Sequence, residues 1–218
     1  MPNLFNGIKS AFKSLYHSHF SLPDFSGYEK FCINDQKGNS ISLDLGCGKT
    51  PRNPFQSADL FGVDVDYGVD ESKRVLRCDL GMEALPFPDG YFDYVTAFDL
   101  IEHIPRTVYK GERRHSPFIF LMNEVYRVLK EGGIFLSHTP AYPRMAAFTD
   151  PTHVNVISPM TFKLYFCRPY SWATRYGFVG SFDLRRQGWH GDNIVAFMTK
   201  SPDRLALEQR RESCKSGP

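Results

Sequence analysis

The chain has 218 residues, 42% of them hydrophobic and 23% charged, with a formal net charge of +2. This balance excludes a chain that is disordered throughout, and no apolar run approaches the ~18 residues needed to span a bilayer. It also argues against a dedicated nucleic-acid coat protein, and the length suits one domain that needs neither disulfides nor a structural metal.

In chain order, Leu4, Ile8, Phe12 and Leu15 or Tyr16 recur at helical spacing after a cap at Asn3. Lys9 and Lys13 interrupt what would be the apolar core of a signal peptide. Residues 1–40 therefore read as a helical lid segment, with a membrane surface as the rarer fate of its apolar stripe. Residues 41–200 read as one domain without repeats. Its strands are expected at Ile41 to Leu45, Leu60 to Val65, Val75 to Leu80, Tyr94 to Phe98 and Ile134 to Ser137. A helix is expected from Phe118 to Leu129, ending at Gly132 and Gly133. Ser158-Pro159 looks like a helix cap, and Ser171 another, with a stop near Gly177. Ser181 to Arg186 and Asn193 to Thr199 suggest a hairpin whose turn holds Gly188 and Gly191. Residues 201–218 read as a charged tail with a short helix around Arg204 to Arg211. Apolar strands alternating with helices imply a Rossmann-like, doubly wound, mostly parallel sheet covered on both faces, closed by the antiparallel hairpin. Cys32, Cys47, Cys78, Cys167 and Cys214 form no C-x-x-C pair and read as reduced thiols, which suits a cytoplasmic protein.

The most informative segment is Leu43-Asp44-Leu45-Gly46-Cys47-Gly48, a strand entering a glycine turn. At the carboxyl end of a first strand such a turn lies at the topological switch point, where backbone can approach a ligand. Roughly twenty residues on, Asp64 ends the second strand, where an acid can accept both hydroxyls of a ribose. Pro51 stands where a dinucleotide fingerprint needs its third glycine, and Pro51 and Pro54 oppose a helix start. A nucleoside without a pyrophosphate is the ligand these features favour.

From about Ser42 to Thr199 the chain resembles the class I S-adenosylmethionine-dependent methyltransferases, whose seven-stranded sheet it is expected to share. The resemblance rests on the glycine turn, Asp64, Cys78-Asp79-Leu80, the Leu85-Pro86-Phe87-Pro88-Asp89-Gly90 lead-in to the fourth strand, and Glu124 to Gly133. It implies S-adenosylmethionine as cofactor and Asp44, Gly46, Cys47, Gly48, Asp64, Asp79, Leu80 and Asp99 as its binding set. Thr50 departs from the family's glycine pattern, and Lys49 or Arg52 could meet the methionine carboxylate.

Methyl transfer depends chiefly on alignment, and a hydroxyl acceptor also needs its proton removed. His103, His153 and His138 are the candidate catalytic residues. A helix beginning near Asp99 would put Asp99, Glu102 and His103 on one face, a ligand-like set for a divalent metal to which His153 could be added. That set resembles the pattern of metal-dependent O-methyltransferases acting on quinone precursors or small-RNA ends. The same residues can equally shape a pocket floor without metal. Arg106, Lys110, Arg113, Arg114 and His115 form a basic run in a long loop, while His17, His19 and His190 read as surface residues. Transfer to a small-molecule or sugar-like acceptor at oxygen is the leading expectation. A metal-assisted RNA-terminal or quinone-type enzyme and a non-catalytic nucleoside-binding module are the alternatives, so a nucleic-acid partner stays open. Aromatic residues, 15% of the chain, divide between strands and the segments at the N-terminus and after the fifth strand, where they could form a lid and an acceptor wall.

Overall fold

The computed structural model describes residues 22–32, 39–65 and 74–202. The stripe from Leu4 to Tyr16, His17, His19, Cys214 and the helix expected at Arg204 to Arg211 lie outside the described residues.

A seven-stranded sheet is built from β1 (Ile41–Leu45), β2 (Asp59–Asp64), β3 (Val75–Arg77), β4 (Phe92–Phe98), β7 (Leu129–Pro140), β8 (Phe182–His190) and β9 (Asn193–Lys200). The strand order is β3-β2-β1-β4-β7-β9-β8. The first five are parallel, and β9 runs antiparallel to both β7 and β8. This is the expected doubly wound sheet with its antiparallel hairpin. The order reverses between β1 and β4, which places the switch point beside the glycine turn.

Several local expectations are corrected. β3 stops at Arg77 because the backbone N–H groups of Met82 and Glu83 both turn back onto the Asp79 carbonyl. Helix α1 (Pro117–Val128) does not end at the glycine pair but passes straight into β7 at Leu129. Gly132 and Gly133 lie inside that strand, at a bulge opposite Phe92 and Tyr94. Gly132 has φ +76°, and a Cβ at Gly133 would stand 3.0 Å from the Asp93 carbonyl, so both positions need glycine. The segment after Ser158-Pro159 is a wide helical turn over Thr161–Phe166. Ser171 makes no side-chain cap, although the short helix Trp172–Tyr176 does stop at Gly177. The basic run is no open loop: β5 (Val108–Lys110) pairs with β6 (Arg113–His115). Gly188 sits within β8 and not in the turn, where a Cβ would collide with Phe25 and the Pro23 carbonyl.

Alternation along the strands sorts the core into two faces. Leu43, Leu45, Val95, Ala97 and Phe135 pack toward α1, whereas Tyr94, Leu136, Val195 and Phe197 face the other way. No helix covers that second face among the described residues between β1 and β2. Phe55 stacks there on Tyr94, with ring centroids 4.0 Å apart and planes at 4°. Phe25, Tyr28 and Phe31 complete the cover, and the Phe25 N–H donates to the Trp189 carbonyl at the β8 edge. Aromatic rings thus replace a crossover helix that Pro51 and Pro54 prevent.

Two polar ties hold the framework. Arg127 of α1 donates to the carbonyls of Leu85 and Phe87 and to the carboxylates of Asp89 and Glu124. Glu124 in turn accepts the Leu85 N–H at 2.8 Å. The lead-in segment and the helix are therefore two halves of one network. Asp44, 1% exposed at the end of β1, accepts the Arg52 N–H at 2.8 Å and the Thr96 hydroxyl at 2.7 Å. It joins the first strand, the fourth strand and the far side of the glycine turn.

Removing Arg127 strips Glu124 and Asp89 of their cation and takes a donor from the Leu85 and Phe87 carbonyls, so Arg127→Ala is expected to cost about 2–3 kcal/mol in urea unfolding. A loss below about 0.5 kcal/mol would show that the network contributes little. Burial pushes the Asp44 carboxyl from 3.8 up to about 6. The folded state then holds a proton that the unfolded chain releases near pH 4. Asp44's contribution to stability therefore falls as pH rises from about 4 to about 6, by roughly 3 kcal/mol in full. A carbon-13 titration of its carboxyl should show a midpoint near 6, and one at or below 4 would overturn this.

Candidate functional site

Two cavities open beyond the carboxyl ends of the strands. The first, about 380 Å³, is lined by Gly46, Asp64, Val65, Asp79, Leu80, Met82, Leu100, His103, Ile104, Pro105 and Val108. Gly46 and Gly48 have φ +63° and +59°, and a Cβ at Gly46 would stand 2.8 Å from Leu100. Both glycines are thus required by the path of the turn. Asp64 accepts the Gly48 N–H at 2.9 Å, so the acid ending β2 also shapes the turn. The Asp79 carboxylate borders the cavity and accepts no hydrogen bond from the described residues. Leu80, Met82 and Ile104 give that side an apolar wall.

Asp44 and Cys47 do not line this cavity. Asp44 spends both carboxylate oxygens on the tie to Thr96 and Arg52. The Cys47 thiol turns toward β2, where any side chain at Gly62 would meet its sulfur at 2.4 Å. Burial, with the neighbouring Asp44 and Asp64 carboxylates, pushes that thiol up to about 12, so it stays protonated. The Arg52 guanidinium lies over the Phe98 ring, 4.8 Å from its centroid.

The second cavity is an open cleft lined by Asp99, Glu102, His103, Pro140, Met145, Thr149, Asp150, His153 and Asp192, among others. Glu102, His103 and His153 each offer a ligand atom, and these atoms all lie within 4.8 Å of one another. Thr139 donates to Glu102 Oε2 at 2.5 Å. Glu102 Oε1 and His153 Nδ1 are buried and have no hydrogen-bond partner among the described residues. Burial holds the Glu102 carboxyl above its usual range. An orphaned carboxylate oxygen beside two imidazoles suits a divalent cation with an open coordination position.

Thr152 orients His103. Its hydroxyl donates to Asp150 at 2.7 Å, leaving only lone pairs for His103 Nδ1, 3.1 Å away. The Thr152 carbonyl, 3.3 Å from Nδ1, is also an acceptor. The proton of the neutral imidazole therefore belongs on Nδ1, and Nε2 carries the free lone pair. Met145 lines the cleft from the loop containing helix α2 (Ala146–Thr149), and Tyr142 and Phe148 of the same loop are exposed and meet edge to face at 6.4 Å.

The expected helical face of Asp99, Glu102 and His103 is not formed. Asp99 has φ +49°, outside the helical region, and only Ile101–His103 make a helical turn. Asp99 instead accepts the Asn193 amide at 2.6 Å and lies 3.5 Å from His138. Burial works against its ionisation, but His138 and Asn193 prevail and hold its carboxyl below the usual range. The cluster gathers Glu102, His103 and His153 without it. His138 lines neither cavity: it contacts His190 at 3.0 Å and Asn193 at 3.0 Å, beneath the Tyr28 ring. His190 is thereby half-buried rather than a surface residue. Thr96, Thr139, Thr152 and Asn193 escape sequence reasoning, since a lone hydroxyl or amide carries no spacing signal.

Residues 43–137 match the family model described as a methyltransferase domain. No curated protein matches the chain by sequence. Among solved structures, a Pyrococcus horikoshii protein superposes with a TM-score of 0.53 at 17% identity, covering 81% of this chain and 89% of its own. A SAM-dependent methyltransferase from Archaeoglobus fulgidus gives 0.51 at 18% identity, covering 87% and 100%. The YcgJ protein of Bacillus subtilis gives 0.50 at 20% identity, covering 74% and 69%. At these identities the likeness is one of fold. Together with the domain match over residues 43–137, it is consistent with a class I, Rossmann-like methyltransferase domain and with S-adenosylmethionine as its cofactor.

Proposed function

We propose that the chain transfers a methyl group from S-adenosylmethionine to an oxygen of a small-molecule, sugar-like acceptor. The observation that carries this reading is the position of His103, which lines both the nucleoside-sized cavity and the open cleft. When bound, S-adenosylmethionine supplies a methyl group on a sulfonium, so the protein's own work is alignment and proton removal. Asp64 would accept the ribose hydroxyls while bracing Gly48. The unpartnered Asp79 carboxylate would accept the adenine amino group, with Leu80 and Met82 against the ring. The backbone of Gly46, Cys47 and Gly48 would follow the methionine end. An acceptor hydroxyl in the cleft would lose its proton to His103 Nε2, the nitrogen that Thr152 leaves free. His138, with both ring nitrogens engaged, takes no part in the transfer.

A second reading, favoured by the orphaned Glu102 Oε1 and His153 Nδ1, adds a divalent metal. Glu102, His103 and His153 would hold it, and it would polarise the acceptor oxygen. An RNA-terminal or quinone-type acceptor belongs to this reading.

Asp64→Ala and Asp79→Ala should each weaken S-adenosylhomocysteine binding roughly tenfold to a hundredfold in calorimetry, with the unfolding midpoint nearly unchanged in Asp79→Ala and lowered in Asp64→Ala, which also takes the acceptor from the Gly48 N–H. Unaltered affinity in both would remove the cofactor assignment. His103→Ala should leave that affinity within a fewfold but lower methyl transfer to hydroxylated acceptors by about 10²–10⁴. Equal loss in binding and transfer would assign His103 to the cofactor wall alone. For the metal reading, Mn²⁺ added to chelator-treated protein should raise Tm, and Glu102→Gln or His153→Ala should abolish the rise. No rise in the unsubstituted protein would leave proton removal to His103 alone.

A further inference from the structure

A third cavity, about 330 Å³, lies on the opposite side of the 104–108 segment from the cofactor cavity. Ile104, Pro105 and Val108 line the cofactor side, whereas Arg106 and Thr107 line this one. Its floor is apolar and rigid: Phe118 and Phe166 are buried and meet edge to face at 5.2 Å. Tyr165 and Tyr176 stand at its rim, both exposed, with ring planes 25° apart. Its polar lining is one-sided, because two arginines and several hydroxyls face it and, among the described residues, no carboxylate does.

The two arginines differ in a useful way. Arg106 donates through Nε to Asn155 at 2.7 Å and through Nη2 to the Val156 carbonyl, so its guanidinium is held in place by neutral partners and makes no ion pair among the described residues. Arg114, on β6, makes no ion pair with any described residue. Hairpin β5–β6 is itself fixed, since His115 Nε2 lies 2.8 Å from the Gly81 carbonyl. A fixed planar cation, a second unpaired cation and an aromatic floor form a mixed apolar and polar pocket in the size range of small-molecule sites.

We propose that this cavity is a second ligand site, separate from the transfer site, for a small molecule combining one planar ring with one anionic group. The ring would rest on Phe118 and Phe166, and the anion would bridge Arg106 and Arg114. The site does not depend on the cofactor assignment, because it shares no lining residue with the cofactor cavity.

The test uses phenyl phosphate as probe, with phenol and inorganic phosphate as controls, by calorimetry on the full chain. Phenyl phosphate should bind at least tenfold more tightly than either control. Arg114→Gln, an exposed change on a surface strand, should bring its affinity down to that of phenol. Asp79→Ala should leave it unchanged. Equal affinity for phenyl phosphate and phenol, or an unaffected Arg114→Gln, overturns the proposal. Loss of binding in Asp79→Ala with retention in Arg114→Gln places the probe in the cofactor cavity and overturns it as well.

Discussion

The buried carboxylate of Asp44 is the constraint on which the rest of the site depends. A carboxylate inside a protein is tolerated only when its oxygens are satisfied. Thr96 on β4 and the Arg52 N–H satisfy this one, so β1, β4 and the chain beyond the glycine turn cannot separate without exposing it. Gly46 and Gly48 give that loop its left-handed bends, and Asp64 ties Gly48 to β2. The cavity is thus framed by three strands rather than by a helix N-terminus, which suits a ligand without a pyrophosphate.

What the sequence makes legible is periodic or punctuated. The strand set and the hairpin follow from apolar runs bounded by turn residues, and the glycine turn follows from two glycines after a strand. The lead-in segment and the α1 segment are recognisable as separate motifs, but their reason for occurring together is Arg127, which binds both. Boundaries fail where one residue overrides a local pattern. Gly132 and Gly133 look like a helix end, yet Gly132 is needed for its left-handed backbone and Gly133 because the Asp93 carbonyl passes close beside a strand bulge. Asp99, Glu102 and His103 look like a helical face, but the backbone at Asp99 is left-handed.

The same limit applies to the site. Side-chain direction at the end of β7 decides the fate of two neighbours. His138 follows Leu136 toward the Tyr28 face, while Thr139 turns the other way and meets Glu102. Period-2 alternation contains that information, but only once the start of the strand is known. Sequence spacing brings His153 near His103 through a loop at the same end of the sheet, and the rings do meet edge to face at 4.8 Å. It cannot reveal Thr152, whose two acceptors choose the tautomer of His103 and so determine which nitrogen keeps a free lone pair.

Aromatic content has a structural cause as well as a local one. Pro51 and Pro54 remove the helix that would cover the second face of the sheet, and burial of that face must come from elsewhere. Phe55 from the loop and Phe25, Tyr28 and Phe31 from the preceding segment supply it, each offering a large apolar area from a short stretch of chain. Tyr28 also packs against His138 and His190, and His138 in turn reaches Asp99 at the wall of the open cleft. The substitute for a missing helix therefore extends contact by contact to the edge of the site. The segment that completes the core also fixes the groups that bound the cleft, so core packing and cleft shape are not independent properties of this chain.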